Sequence, residues 1–100
     1  MPRSRESAPA PAVTRVIFTL YVAGRTPRSL QAAENLDRLG KERLGGEYDL
    51  TVVDVADEPE RAEAARILTT PTLVKEAPGQ ARRVTGDLSD AERVFVALGL

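Results

Sequence analysis

The segment Val16-Ile17-Phe18-Thr19-Leu20-Tyr21-Val22 constrains this chain more than any other. It is almost continuously apolar and rich in β-branched and aromatic side chains. Such a run does not divide its residues between core and solvent. It suits a strand covered on both faces, as in the middle of a parallel sheet. Covering elements are therefore required, and the sequence on its C-terminal side begins with one. Ala23-Gly24-Arg25 breaks the strand. Thr26 can then cap an early amide, and Pro27 suits the first helical position because its missing donor had no partner there. Leu30, Ala33, Leu36, Leu39 and Leu44 follow in one broad apolar stripe, and Gly45-Gly46 offers a positive-φ exit. The spacing predicts a helix of about four to five turns.

Tyr48 to Val55 alternates loosely, turns apolar at Val52-Val53, and reads as a second strand with Asp54 near its end. Asp57-Glu58-Pro59-Glu60 has the form of a capping box, with Asp57 as cap and Glu60 three residues on. Ala62, Ala65, Ile67 and Leu68 give a short second helix, which must stop before Thr70-Pro71 because a pre-proline residue resists the helical region. Thr72 to Glu76 is a short strand, Pro78-Gly79 a turn, and Ala81 to Thr85 an antiparallel return. Ser89 and Glu92 form another capping box before a last helix with Val94, Phe95 and Leu98 on its buried face. The order β-α-β-α-β-β-α is an α/β class, single-domain, thioredoxin-like arrangement: a right-handed β-α-β unit, a helix and a hairpin. The domain is expected over residues 13–100. Residues 1–12 are Pro/Ala-rich, with Pro2, Pro9 and Pro11, and are expected to be a disordered tail.

Composition narrows the function. The chain has 100 residues, 42% of them hydrophobic, which is enough for one core but not for a second substrate domain. Lys+Arg 14 against Asp+Glu 15 gives a net charge of −1, which argues against a nucleic-acid binder. Cysteine and histidine are both absent. This excludes disulfide frameworks, thiolate and Ser-His-Asp catalysis, and every zinc site built on Cys or His. In redox-active thioredoxin-like domains the turn after the first strand carries Cys-x-x-Cys, where the helix N-terminus lowers a thiol pKa. Here the turn reads Gly24-Arg25-Thr26-Pro27. No catalysis and no cofactor are expected. Asp54-Val55-Ala56-Asp57-Glu58 is acidic, but two of its carboxylates are assigned to helix capping, so no metal is expected there either. No apolar run approaches the ~20 residues needed to cross a bilayer, and Met1-Pro2-Arg3-Ser4-Arg5-Glu6 is followed by no signal-peptide stretch. A cytoplasmic protein is expected.

Two local features suggest roles. Thr70-Pro71-Thr72 stands where thioredoxin-like folds hold a cis-proline before the third strand, so Pro71 is the candidate structural cis-proline. Lys75 with Arg82 and Arg83 is the one compact basic feature, and is the candidate patch for docking an acidic protein surface.

Several of these segments together resemble the KaiB family. Leu20-Tyr21-Val22-Ala23-Gly24-Arg25-Thr26-Pro27-Arg28-Ser29 is similar to its "LYVAGxTPxS" opening. The likeness continues through Val53-Asp54-Val55, Ile67 to Leu73, and Arg82-Arg83-Val84-Thr85-Gly86-Asp87-Leu88-Ser89, over roughly residues 16–100. The resemblance implies a non-catalytic clock or stress-response protein that binds and regulates a KaiC-like hexameric ATPase. It implies competition there with a histidine kinase, whose own sensory domain is thioredoxin-like, and capture of a KaiA-like protein. A stand-alone docking module related to that sensory domain is the alternative.

The resemblance also implies fold switching. In a second form the C-terminal half is rebuilt as helices followed by a strand, and the protein forms tetramers. The β-prone Val94-Phe95-Val96 behind a helix cap is compatible with both forms. Cyanobacterial members read Gly-Leu-Asp where this chain has Ala97-Leu98-Gly99. Alanine favours a helix over glycine, and losing the carboxylate relieves a helix C-terminus. Ala97 and Gly99 are therefore expected to favour the thioredoxin-like form, as a monomer or small oligomer.

Overall fold

The apolar run forms strand β1 (Val16–Val22), in which only Ile17 is partly exposed. The structure is a computed structural model and describes residues 15–100. The expected tail over residues 1–12 and the expected start of order at Val13 lie outside the described residues. Strand β2 (Tyr48–Asp54) pairs with β1 in parallel, from Val16↔Tyr48 to Val22↔Asp54. Strand β3 (Thr72–Ala77) lies on the other side of β1 and runs antiparallel to it. Strand β4 (Arg82–Thr85) returns beside β3, giving the order β2-β1-β3-β4.

The sheet is therefore mixed, not parallel around β1 as the apolar run suggested. The reason is the length of the connection. Helix α2 (Pro59–Ala64) has 6 residues, which span about 9 Å, whereas a seven-residue strand spans about 23 Å. So short a helix leaves the chain at the end of the sheet where β2 finished. Strand β3 thus starts opposite Tyr21 and runs back.

Helix α1 (Pro27–Leu44) begins as expected: Thr26 is the cap, its Oγ1 accepting from the Ser29 N–H at 3.3 Å, and Pro27 follows. It ends at Gly45 in the left-handed region, where the Gly46 N–H donates to the Gly40 carbonyl at 3.0 Å. Its buried face, however, is Ser29, Ala32, Asn35, Leu36, Leu39 and Gly40, with Leu30 46% exposed and Ala33 also exposed. Polar residues turn this face. The Thr26 hydroxyl donates to that of Ser29, and the Asn35 amide donates to the Asp87 carbonyl at 2.7 Å. Satisfied in this way, Ser29 and Asn35 occupy positions that an apolar count assigns elsewhere.

Helix α3 (Ala91–Leu98) packs with α1 on one face of the sheet, around Phe18, Leu20, Leu36, Leu73 and Leu98. Its cap is Asp90 rather than Ser89: Asp90 Oδ1 accepts from the Arg93 N–H at 3.1 Å, while the Ser89 N–H donates to Asp87 Oδ1. Glu92 pairs with Arg43 instead of closing a box, and Arg43 lies 5.1 Å from the centre of the Phe95 ring.

Helix α2 covers the other face, where Tyr21, Val53 and Val74 form a second cluster. Its cap position is Glu58, with no side-chain bond. The expected cap Asp57 is spent in a tighter turn, because the Asp54 carbonyl accepts from both Asp57 and Glu58. The helix stops at Ala64 and the chain passes through Arg66 at φ 57°. Ile67 and Leu68 thus fall outside it, Leu68 at 93% exposure.

Gly40 fixes how closely β2 approaches α1. A Cβ there would overlap the Tyr48 ring, which itself packs tilted against Phe18 at 5.8 Å. Alanine is favoured over glycine inside a helix by about 1 kcal/mol, yet overpacking costs about 1–3 kcal/mol. Gly40→Ala should therefore not stabilise the protein. Urea unfolding is expected to show a net loss of up to about 2 kcal/mol, and a gain in midpoint would contradict this packing.

Candidate functional site

The turn between β1 and α1 holds hydroxyls where related folds hold thiols. Gly24 takes φ 65°, which a glycine adopts freely, and delivers Thr26 to the helix start. Thr26 and Ser29 then satisfy each other. Among the described residues no His, Cys, Asp and Glu group could hold a metal. The acidic loop at the end of β2 is used locally: Asp54 Oδ1 accepts from the Ala56 N–H at 2.9 Å.

The basic hairpin does not form the patch expected of it. Lys75 is 4% exposed, and its Nζ donates to the Pro78 carbonyl at 2.7 Å and the Gln80 carbonyl at 3.4 Å. It ties down the β3–β4 turn and is not available to a partner. Arg82 and Arg83 stand on opposite faces of the sheet. Arg82 lies opposite Lys75, on the α1–α3 face, and a Cβ at Gly99 would stand 3.1 Å from its Nε. Arg83 lies opposite Val74, on the α2 face, and donates to the Ala65 carbonyl at 2.7 Å and the Arg66 carbonyl at 3.1 Å. It thereby closes the C-terminal end of α2. Strand alternation separates what the sequence places side by side.

Both the Thr70–Pro71 and the Ala77–Pro78 peptides are cis. Pro71 is buried, and its carbonyl accepts from the Gly86 N–H at 2.9 Å. Ala97 is half-buried against the main core, and Gly99 ends α3 at φ 71° with its N–H on the Phe95 and Val96 carbonyls.

A different surface stands out instead. Leu30 on α1 and Leu50 and Val52 on β2 are 46%, 38% and 53% exposed. Leu30, Ala33 and Val52 open onto a cleft of about 340 Å³, with Asp54, Asp57, Glu58 and Arg25 around it. Leu50 and Val52 read as core by residue type. The strand order puts β2 at an edge, beyond the cover of α1.

This architecture is that of a thioredoxin-like domain stripped of its redox residues. It is similar to mitochondrial thioredoxin 3 of Saccharomyces cerevisiae, with a TM-score of 0.68 and 17% identity over 85% of this chain and 78% of that one. It is also similar to the N-terminal domain of Synechococcus elongatus SasA, with a TM-score of 0.64 and 25% identity over 93% of this chain and 89% of that one. The family model described as the KaiB domain matches residues 19–100. The circadian clock protein KaiB3 of a Synechocystis strain is 39% identical over 88 residues, 88% of this chain and 86% of that protein. The circadian clock oscillator protein KaiB of Prochlorococcus marinus (strain MIT 9313) is 49% identical over 84 residues, 84% of this chain and 71% of that protein. The chain belongs to the KaiB family. KaiB is a family of non-catalytic circadian clock proteins, and this chain is accordingly not an enzyme. No helix among the described residues is long and apolar enough to cross a membrane.

Two side chains give measurable expectations. Lys75→Met keeps the length of the side chain but leaves two carbonyls of the turn without their donor. Unfolding is expected to show a loss of about 1–3 kcal/mol, and an unchanged midpoint would contradict the buried tie. Asp87 is held below the ordinary 3.8 because the Ser89 hydroxyl and N–H, then the Arg28 charge, favour its ionised form. A lowered folded pKa means that its contribution is complete above the unfolded value and lost as pH falls through the folded one. Asp87→Asn should therefore flatten the acid limb of a melting-temperature profile below about pH 4. A limb as steep as that of the parent would show that Asp87 does not contribute.

Proposed function

We propose that the chain is a cytoplasmic clock or stress-response regulator that binds a KaiC-like hexameric ATPase through α1 and the edge strand β2. The exposed apolar set Leu30, Leu50 and Val52 carries this reading, because so much aliphatic surface on one flank of a small domain marks an interaction site. The acidic groups beside it, Asp54, Asp57 and Glu58, suit a partner that is basic at its rim. Of the hairpin residues only Arg82 remains a candidate, since Lys75 is buried and Arg83 closes α2; exposed on β4, at the sheet edge away from β2, it is a separate candidate contact. A histidine kinase and a KaiA-like protein compete for binding in this reading.

Val52→Asp is the test, because it charges the flank without entering the core. Truncation of a central contact typically costs about 2 kcal/mol or more, so affinity for the ATPase ring should fall at least about thirtyfold. The midpoint of unfolding should hardly move. Capture of a histidine kinase tail in place of a ring would favour the second reading, a stand-alone docking module. The likeness to the SasA N-terminal domain suits that second reading.

We further infer that the thioredoxin-like form is the resting state, held by Ala97 and Gly99. Ala97→Gly is the cleaner variant, since a carboxylate at position 99 would meet Arg82. Ala97→Gly should weaken α3 by about 0.5–1 kcal/mol and raise the share of any tetrameric form on sizing. A parent chain that is already tetrameric would overturn the inference.

A further inference from the structure

A second cleft lies away from the flank just discussed, where the start of α1, the end of β4 and the start of α3 meet. It is about 400 Å³ in volume, within the range of small-molecule sites. Its wall is mostly polar: Arg28 from α1, Arg93 from α3, and the hydroxyls of Thr70, Thr85 and Ser89. The floor is aliphatic, with Val84, Leu88 and Val94.

The two guanidiniums are placed at an electrostatic cost. Arg28 and Arg93 each lie in the first turn of their helix, where the backbone dipole disfavours a cation. Their compensation is partial: the Asp87 and Asp90 carboxylates line the same cleft, but neither forms an ion pair with them. The first turn of α1 contains no acidic residue, and Glu92 in the first turn of α3 is paired with Arg43. Among the described residues neither Arg28 nor Arg93 makes an ion pair within 4.0 Å. The carboxylates on the same wall are engaged with backbone: Asp87 Oδ1 accepts from the Ser89 N–H and Asp90 Oδ1 from the Arg93 N–H, both at 3.1 Å. The Arg28 charge reaches Asp87 only as the weakest of the side-chain influences that lower its pKa. Two cations thus face one cleft from helix ends that repel them. Departures of this kind from local preference cluster at functional sites.

We propose that this cleft binds the oxyanion group, phosphate or carboxylate, of a small metabolite. Arg28 and Arg93 hold the anion from α1 and α3, the Thr70 and Thr85 hydroxyls complete its hydrogen bonding, and the aliphatic floor takes the less polar part of the ligand. Guanidinium groups suit both oxyanions because they present paired donors in one plane. Its lining shares no residue with the cleft on the α1–β2 flank, so its occupancy and ring binding are separately measurable.

The full chain would be titrated with inorganic phosphate and, separately, with L-glutamate, each against sodium chloride at matched ionic strength. Amide shifts at Arg28 and from Thr85 to Val94 report binding. Saturable shifts with either probe, beyond those in chloride, are expected, and the better probe identifies the oxyanion. Arg28→Gln and Arg93→Gln should each weaken that binding about tenfold. Lys41→Gln, on the exposed side of α1, should leave it unchanged. Both arginines are exposed, so the variants should keep the parent spectrum elsewhere. The proposal is overturned if neither probe shifts these amides beyond chloride, or if the shifts survive in the double variant.

Discussion

Everything in this domain is built against β1. Phe18 and Leu20 are 1% and 0% exposed, and they face the layer made by α1 and α3. Tyr21 faces the opposite cluster under α2. A strand of this composition is insoluble as an edge and stable only at the centre, with hydrogen-bonded neighbours on both sides. That requirement settles the roles of the other elements. Strand β2 must run parallel because α1 is long enough to carry the chain back, and β3 must run antiparallel because α2 is too short to do so. The mixed sheet follows from the difference in length between two helices.

Much of this was legible in the amino-acid sequence. The apolar run, the Thr26-Pro27 start and the Gly45 exit of α1, and the hairpin around Pro78-Gly79 act through local chemistry, and local chemistry can be read from neighbours along the chain. Helix starts that depend on a turn further back could not be read so well. Asp57 has the right spacing for a cap but is drawn into the turn that Asp54 organises. Ser89 likewise yields to Asp90 because Asp87 has already taken the Ser89 amide. Which carboxylate caps depends on the path into the helix, and spacing alone does not encode that path.

Two of the candidate docking residues, Lys75 and Arg83, are committed within the fold for a second reason. Reading Lys75, Arg82 and Arg83 as one patch treats charge as if it lay on a continuous surface. A pleated sheet has two sides, and adjacent residues take opposite ones. The register then sends Arg83 to α2 and leaves Arg82 on the other face, while the turn captures Lys75. The exposed Leu50 and Val52 are the converse case. Their apolar character is plain in the sequence, but their accessibility follows from β2 being the outermost strand.

The burial of Lys75 also gives the protein a chemical asymmetry. The sequence contains two lysines, Lys41 and Lys75. Lys41 has its side chain 71% exposed and is restrained only by Asp37. Lys75 is enclosed, with its protons directed at carbonyl oxygens. An amine-directed acylating reagent needs a free nitrogen lone pair and room to approach, so it would mark Lys41 and spare its counterpart while the hairpin is closed. Any rearrangement that dissolves the β3–β4 turn frees the second amine. The ratio of label on two residues of one chain, read by mass, thus reports hairpin opening with Lys41 as its internal reference.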